Sequence, residues 1–142
     1  MKALALVLVG VLACGAQAAE ADVFARLSGL FGDPAFPAEA CTANPVFSTF
    51  SADHSRVTFN WARPVPSYTG DMITAFGGKV MAWDDTSVTL QRDAESRRTA
   101  AGDKVQWIMR ATTQPDGYCW YRTDWVDQDC YTLVRCPSDA NS

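Results

Sequence analysis

From Val46 to Arg135 the apolar residues recur mainly at every second position. Val57, Phe59 and Trp61 alternate with Thr58 and Asn60, and Val88 and Leu90 alternate with Thr89 and Gln91. This is the period-2 signature of strands with one buried face. Ile73 to Trp83 reads as another strand region, with a bulge or sharp bend expected at Gly77-Gly78. Val105, Trp107 and Met109 continue the series, followed by Tyr118 to Trp125 and Tyr131 to Arg135. Ser51 to Ser55, Asp84 to Ser87 and Pro115-Asp116-Gly117 have turn composition, and Arg92 to Asp103 is the longest polar loop. Seven short strands joined by local turns predict a mainly β antiparallel meander. Such a meander closes into a barrel or folds into a sandwich, because open edges invite unwanted pairing.

The segment before Val46 follows a different rule. Val23, Leu27, Leu30 and Phe31 recur at helical spacing, which predicts a short amphipathic helix near residues 21–31. Gly32-Asp33-Pro34 stops it, and Pro37 and Pro45 keep the following stretch extended. Packing against the domain is the default role for such a helix. Further upstream, Lys2, the apolar run Ala3 to Ala13 and Ala16-Gln17-Ala18 predict a signal peptide cleaved after Ala18. The alternative is lipidation: Val11-Leu12-Ala13-Cys14 resembles the lipobox of bacterial lipoproteins, with Cys14 as the anchor. The apolar run is far short of the about 20 residues that a spanning helix needs. The expected organisation is signal peptide 1–18, lead-in 19–44, β domain 45–136 and flexible tail 137–142. Localisation is then periplasmic or secreted, or lipid-anchored to the envelope through Cys14.

Cleavage at Ala18 leaves Cys41, Cys119, Cys130 and Cys136. An even number in an exported domain predicts two disulfides rather than a metal site, since no pair has Cys-x-x-Cys spacing and the lone His54 is remote from the C-terminal cysteines. Three connectivities are open. If Val126 to Asp129 is a four-residue hairpin loop, Cys119 faces Cys136 across the hairpin, and Cys130 ties down Cys41.

The meander resembles a lipocalin in shape. Lipocalins carry Gly-x-Trp on their first strand, and here Phe59-Asn60-Trp61 supplies the tryptophan without the glycine. Arg135 matches the closing arginine that packs on that tryptophan. The resemblance implies a barrel with a mouth.

Composition narrows the function classes. The chain has 142 residues, 48% of them apolar, and a formal net charge of −4, so it reads as a single folded domain without the basic face that nucleic acid requires. Membrane contact is expected only through a lipid on Cys14. His54 lies beside Asp53, Ser51 and Ser55, but sequence neighbours rarely converge into a Ser-His-Asp device, and a solvated turn histidine is the simpler reading. Asp84-Asp85, Asp93 with Glu95, and Asp127 with Asp129 fall in turns, where carboxylates are solvated and cap backbone N–H groups. Asp127-x-Asp129 lacks the rest of a calcium loop. Glu95-Ser96-Arg97-Arg98 reads as an exposed, salt-bridged loop. No cofactor, metal or catalytic residue is expected.

Gly117 to Trp125 carries the densest chemistry, with Tyr118, Trp120, Arg122 and Asp124 sharing one strand face and Cys119, Tyr121, Thr123 and Trp125 the other. Trp61, Trp107, Trp120 and Arg122 are the candidate binding residues. The function expected is an exported, non-catalytic binding domain that takes a small apolar or aromatic ligand in or at the mouth of a β barrel. The alternative is a periplasmic module, such as an enzyme inhibitor or envelope interaction protein, that binds protein through an exposed Trp/Arg patch.

Overall fold

A computed structural model describes residues 23–126 and 129–138. The expected signal peptide with Cys14, Asp127 and the end of the expected tail lie outside the described residues. The chain forms eight strands: β1 (Gly29–Gly32), β2 (Val46–Phe50), β3 (Arg56–Pro66), β4 (Met72–Trp83), β5 (Ser87–Arg92), β6 (Trp107–Thr113), β7 (Asp116–Arg122) and β8 (Tyr131–Arg135). Each pairs antiparallel with the next and β1 pairs with β8, so the meander is a closed barrel. Of the two architectures open to it, the chain adopts the one that leaves no sheet edge.

Several sequence expectations need correction. The helix ends before the predicted residue 31: among the described residues 23–27 are helical, and residues 29–32 form β1. Gly29, at φ +116°, takes a backbone conformation that ends the turn and starts the strand. Leu30 and Phe31 then pair with Phe47 and Val46 instead of continuing the helical face. The barrel therefore has eight strands, one of them inside the expected lead-in. The bulge in β4 also lies elsewhere. Gly77 and Gly78 stay in register with Thr58 and Val57, and the shift falls between Val80 and Ala82. The glycines serve close approach: a Cβ on Gly78 would sit 2.9 Å from the Gln91 carbonyl oxygen.

Alternation places Phe31, Val57, Phe59, Val80, Val88, Leu90, Met109 and Tyr118 in the core, with Val23, Phe24 and Leu27 from the helical segment packed beneath them. That segment plugs the end of the barrel at which β2–β3 and β4–β5 turn. Phe24 stacks on His54 at 3.9 Å and meets the edges of Phe50 and Trp83. Arg135 locks the plug. Its guanidinium lies 4.8 Å from the Phe31 ring centre, donates to the carbonyls of Ser28 and Arg26, and pairs with Asp116. The arginine-on-aromatic contact is thus made with Phe31 on the true first strand, not with Trp61.

The disulfides join Cys41 to Cys136 and Cys119 to Cys130, with Cα separations of 5.3 and 5.2 Å. The pairing conditional on a Val126–Asp129 hairpin loop, Cys119 with Cys136 and Cys41 with Cys130, does not form, because β7 ends at Arg122 and its register with β8 is not the one that loop would set. Cys119 faces Thr132, four positions short of Cys136. Cys136 instead runs alongside β1, donating its N–H to the Leu30 carbonyl, and meets Cys41 there. Two disulfides mark a protein of an oxidising, non-cytoplasmic compartment. Among the described residues no helix is long and apolar enough to cross a membrane.

Candidate binding site at the open mouth

The end opposite the helical plug carries the β1–β2, β3–β4, β5–β6 and β7–β8 connections, and a cavity of about 410 Å³ opens between them. Its aromatic lining comes from Trp61 on β3, Phe76 on β4, Trp107 on β6 and Trp120 on β7. Trp120 connects cavity to core, meeting Trp107 edge-on at 5.6 Å and Tyr118 edge-on at 5.4 Å. Three of the four sequence candidates therefore meet in one cavity. The fourth, Arg122, stands behind it. Its guanidinium sits 5.3 Å from both Trp107 and Trp125 and makes a two-bond salt bridge to Asp124. The Tyr118/Trp120/Arg122 face points into the barrel, while the Cys119–Cys130 bridge comes from the other face.

The β5–β6 wall is built around a buried acid. Glu95 takes two hydrogen bonds from the Arg97 side chain, one from the Arg97 backbone N–H and one at 3.0 Å from the Trp107 indole N–H. Burial pushes its carboxyl up, but these donors outweigh burial and hold it down at about 2. The expected salt bridge forms, but at Glu95 it is buried rather than exposed, and Glu95 is the post that orients Trp107 toward the cavity. Arg92, at the end of β5, lays its guanidinium 3.9 Å from the Phe76 ring centre, with Tyr68 and Trp107 each at 5.4 Å.

The facing wall belongs to the β1–β2 connection, which includes a 3-10 turn at Pro37–Glu39. The Tyr131 hydroxyl donates to Asp33, whose other oxygen accepts the backbone N–H groups of Ala35 and Phe36. Burial and the Asp33 carboxylate push the Tyr131 phenol up. Burial, reinforced by Asp33, also raises Glu39. The Trp61 indole Nε1 is buried without a hydrogen-bond partner among the described residues, although the Glu39 carboxyl is near enough to feel it.

The candidate catalytic groups do not converge. His54 sits in the β2–β3 turn at φ 56°, stacked on Phe24 at the plugged end. The Ser51 and Ser55 hydroxyls both donate to Asp53 and not to the imidazole. Asp84 caps its own turn, accepting from Thr86 and Ser87, and those backbone N–H groups hold it below its usual range. Asp93 pairs with Arg56 outside the barrel. No group of three potential metal ligands occurs among the described residues.

Sequence reasoning missed Arg92, Phe76, Tyr68 and the Asp33/Tyr131 pair. A signal for Arg92 was present: Val88 and Leu90 face inward, and the same parity carries one step further to Arg92. No comparable signal marked Asp33 or Tyr131, which meet only through the β1–β8 closure.

The chain matches no known family model, no curated protein and no solved structure.

Proposed function

We propose that the protein is a non-catalytic binding domain that holds a small apolar or aromatic molecule in the mouth of its barrel. The observation that carries this reading is the cavity of about 410 Å³ walled by Trp61, Phe76, Trp107 and Trp120 at the end the helical segment leaves open. A concave, mainly apolar site with a few fixed polar groups suits a ligand of small-molecule size. Export after cleavage at Ala18 to the periplasm or the exterior belongs to the same reading, with anchoring through a lipid on Cys14 as its alternative.

Native mass spectrometry of protein purified from producing cells, set against its denatured non-reduced mass, tests both points. The expected result is an added small-molecule mass under native conditions only, and a denatured mass corresponding to a chain that starts after Ala18. A bare native mass would count against the ligand reading. A lipid-bearing denatured mass would move the protein to the envelope surface.

A second reading has its own support. Phe36, Tyr68 and Met72 stand exposed around the same mouth, at 56%, 47% and 62%. A rim of this kind suits a protein partner, and cross-linking in the envelope would capture one.

A further inference from the structure

We infer that the molecule taken by the mouth cavity is an aromatic organic anion, and that Arg92 is the residue that receives its charged group. The inference rests on the small-molecule reading above and specifies the ligand class.

Charge balance around Trp107 leads to it. Three guanidiniums, those of Arg92, Arg97 and Arg122, lie 5.2–5.4 Å from that indole. Two carboxylates face them, and both are occupied: Glu95 by Arg97 and Asp124 by Arg122, each through two bonds. Arg92 makes no ion pair and no side-chain hydrogen bond among the described residues. Arginine cannot relieve burial by losing its proton. Phe76 covers one face of the guanidinium at 3.9 Å, and Arg92 lines the cavity. Stacking satisfies the face of the fork and leaves its in-plane N–H donors for a planar or tetrahedral anion.

The remaining polar groups agree with this placement. Asp33 and Glu39 line the cavity from the β1–β2 connection, and β1 is half a ring away from β5. Asp33 is already engaged by Tyr131. The Trp61 Nε1 is a buried donor with no partner at hydrogen-bond geometry among the described residues, on a ring that packs against Phe76 at 5.8 Å, and the Glu39 carboxyl is its near neighbour. Glu39 also faces the cavity without an ion pair, but it lies on the β1–β2 wall, while on the β5 side the unpaired group is the Arg92 donor fork. The aromatic walls receive the body of the ligand.

The test uses two probes with one skeleton, 8-anilinonaphthalene-1-sulfonate and its uncharged counterpart N-phenyl-1-naphthylamine. Each is titrated into the purified, oxidised protein, with energy transfer from tryptophan reporting binding. The sulfonate is expected to bind at least tenfold more tightly. Arg92→Met should remove that preference while leaving affinity for the neutral probe within twofold, which also shows that the cavity is intact. Arg92→Lys keeps the charge without the planar fork; it should weaken the sulfonate at least threefold, and it serves if Arg92→Met does not fold. Equal binding of the two probes, or a sulfonate preference that survives both substitutions, overturns the inference and leaves the small-molecule reading standing. Failure of both probes to bind overturns both.

Discussion

Glu95 shows how much a single side chain can organise. It is fully buried, yet four hydrogen bonds from Arg97 and Trp107 keep it ionised. Its folded pKa of about 2 lies below the unfolded reference of about 4.3, so the ionised form stabilises the fold above that reference and the contribution is lost as pH falls toward 2. The difference corresponds to about 3 kcal/mol at neutral pH. Glu95→Gln should therefore lower stability by about 2–3 kcal/mol at pH 7, and the gap from the unmodified protein should shrink by about half by pH 3. Urea denaturation across that range reads both numbers. A gap that stayed constant with pH would mean that Glu95 acts through packing and not through charge. From the sequence, Glu95-Ser96-Arg97-Arg98 looks like any solvated charge run. What distinguishes it is a tryptophan twelve positions away, which periodicity cannot link to it.

At the scale of elements, strands with strict alternation were legible, and the element that closes the barrel was not. Val57-x-Phe59-x-Trp61 and Val88-x-Leu90 each show one buried face, and the sheet buries those faces as alternation demands. β1 has only four residues, and its two buried ones, Phe31 and Gly32, are adjacent, so no period-2 signal exists to read. The two disulfides were legible, but their pairing was left open for a related reason. Pairing of β7 with β8 depends on the length of their connection, and a different loop moved Cys119 from opposite Cys136 to opposite Thr132. The observed pairing makes the two bridges energetically unequal. Cys41–Cys136 closes a separation of 95 residues and Cys119–Cys130 one of 11, which chain entropy converts to about 5 and about 3 kcal/mol respectively. Replacing Cys41 and Cys136 by alanine should cost about 2 kcal/mol more than replacing Cys119 and Cys130. Thermal unfolding of the two double variants checks the order, and equal costs would show that the reduced chain retains the barrel closure.

For the whole molecule, the barrel has one plugged end and one open end, and different residues control each. Arg135, at the end of the last strand, touches the first strand and the Arg26 and Ser28 carbonyls at the end of the helical turn, so it holds the plug rather than the site. Arg135→Leu should destabilise the protein by about 2–3 kcal/mol. It should also speed amide hydrogen exchange at residues 23–27, leaving affinity for a mouth-bound probe unchanged below the unfolding transition. Lost probe affinity without faster exchange would reverse that division of labour. The tryptophans of the candidate site were visible in the sequence because they are rare and lie on strands. Their convergence required knowing that the strands close on themselves.

The Cys41–Cys136 bridge also divides the chain topologically. It encloses β2 through β8 in one covalent ring, and residues 23–40, with the helical plug and β1, hang from that ring as a pendant arm. The arm fills the seam between β2 and β8 by hydrogen bonds and packing alone. Severed from the ring, it should behave as a removable stave: the remaining seven strands would present two raw edges, and a synthetic peptide spanning residues 23–36 should restore the closed barrel in trans.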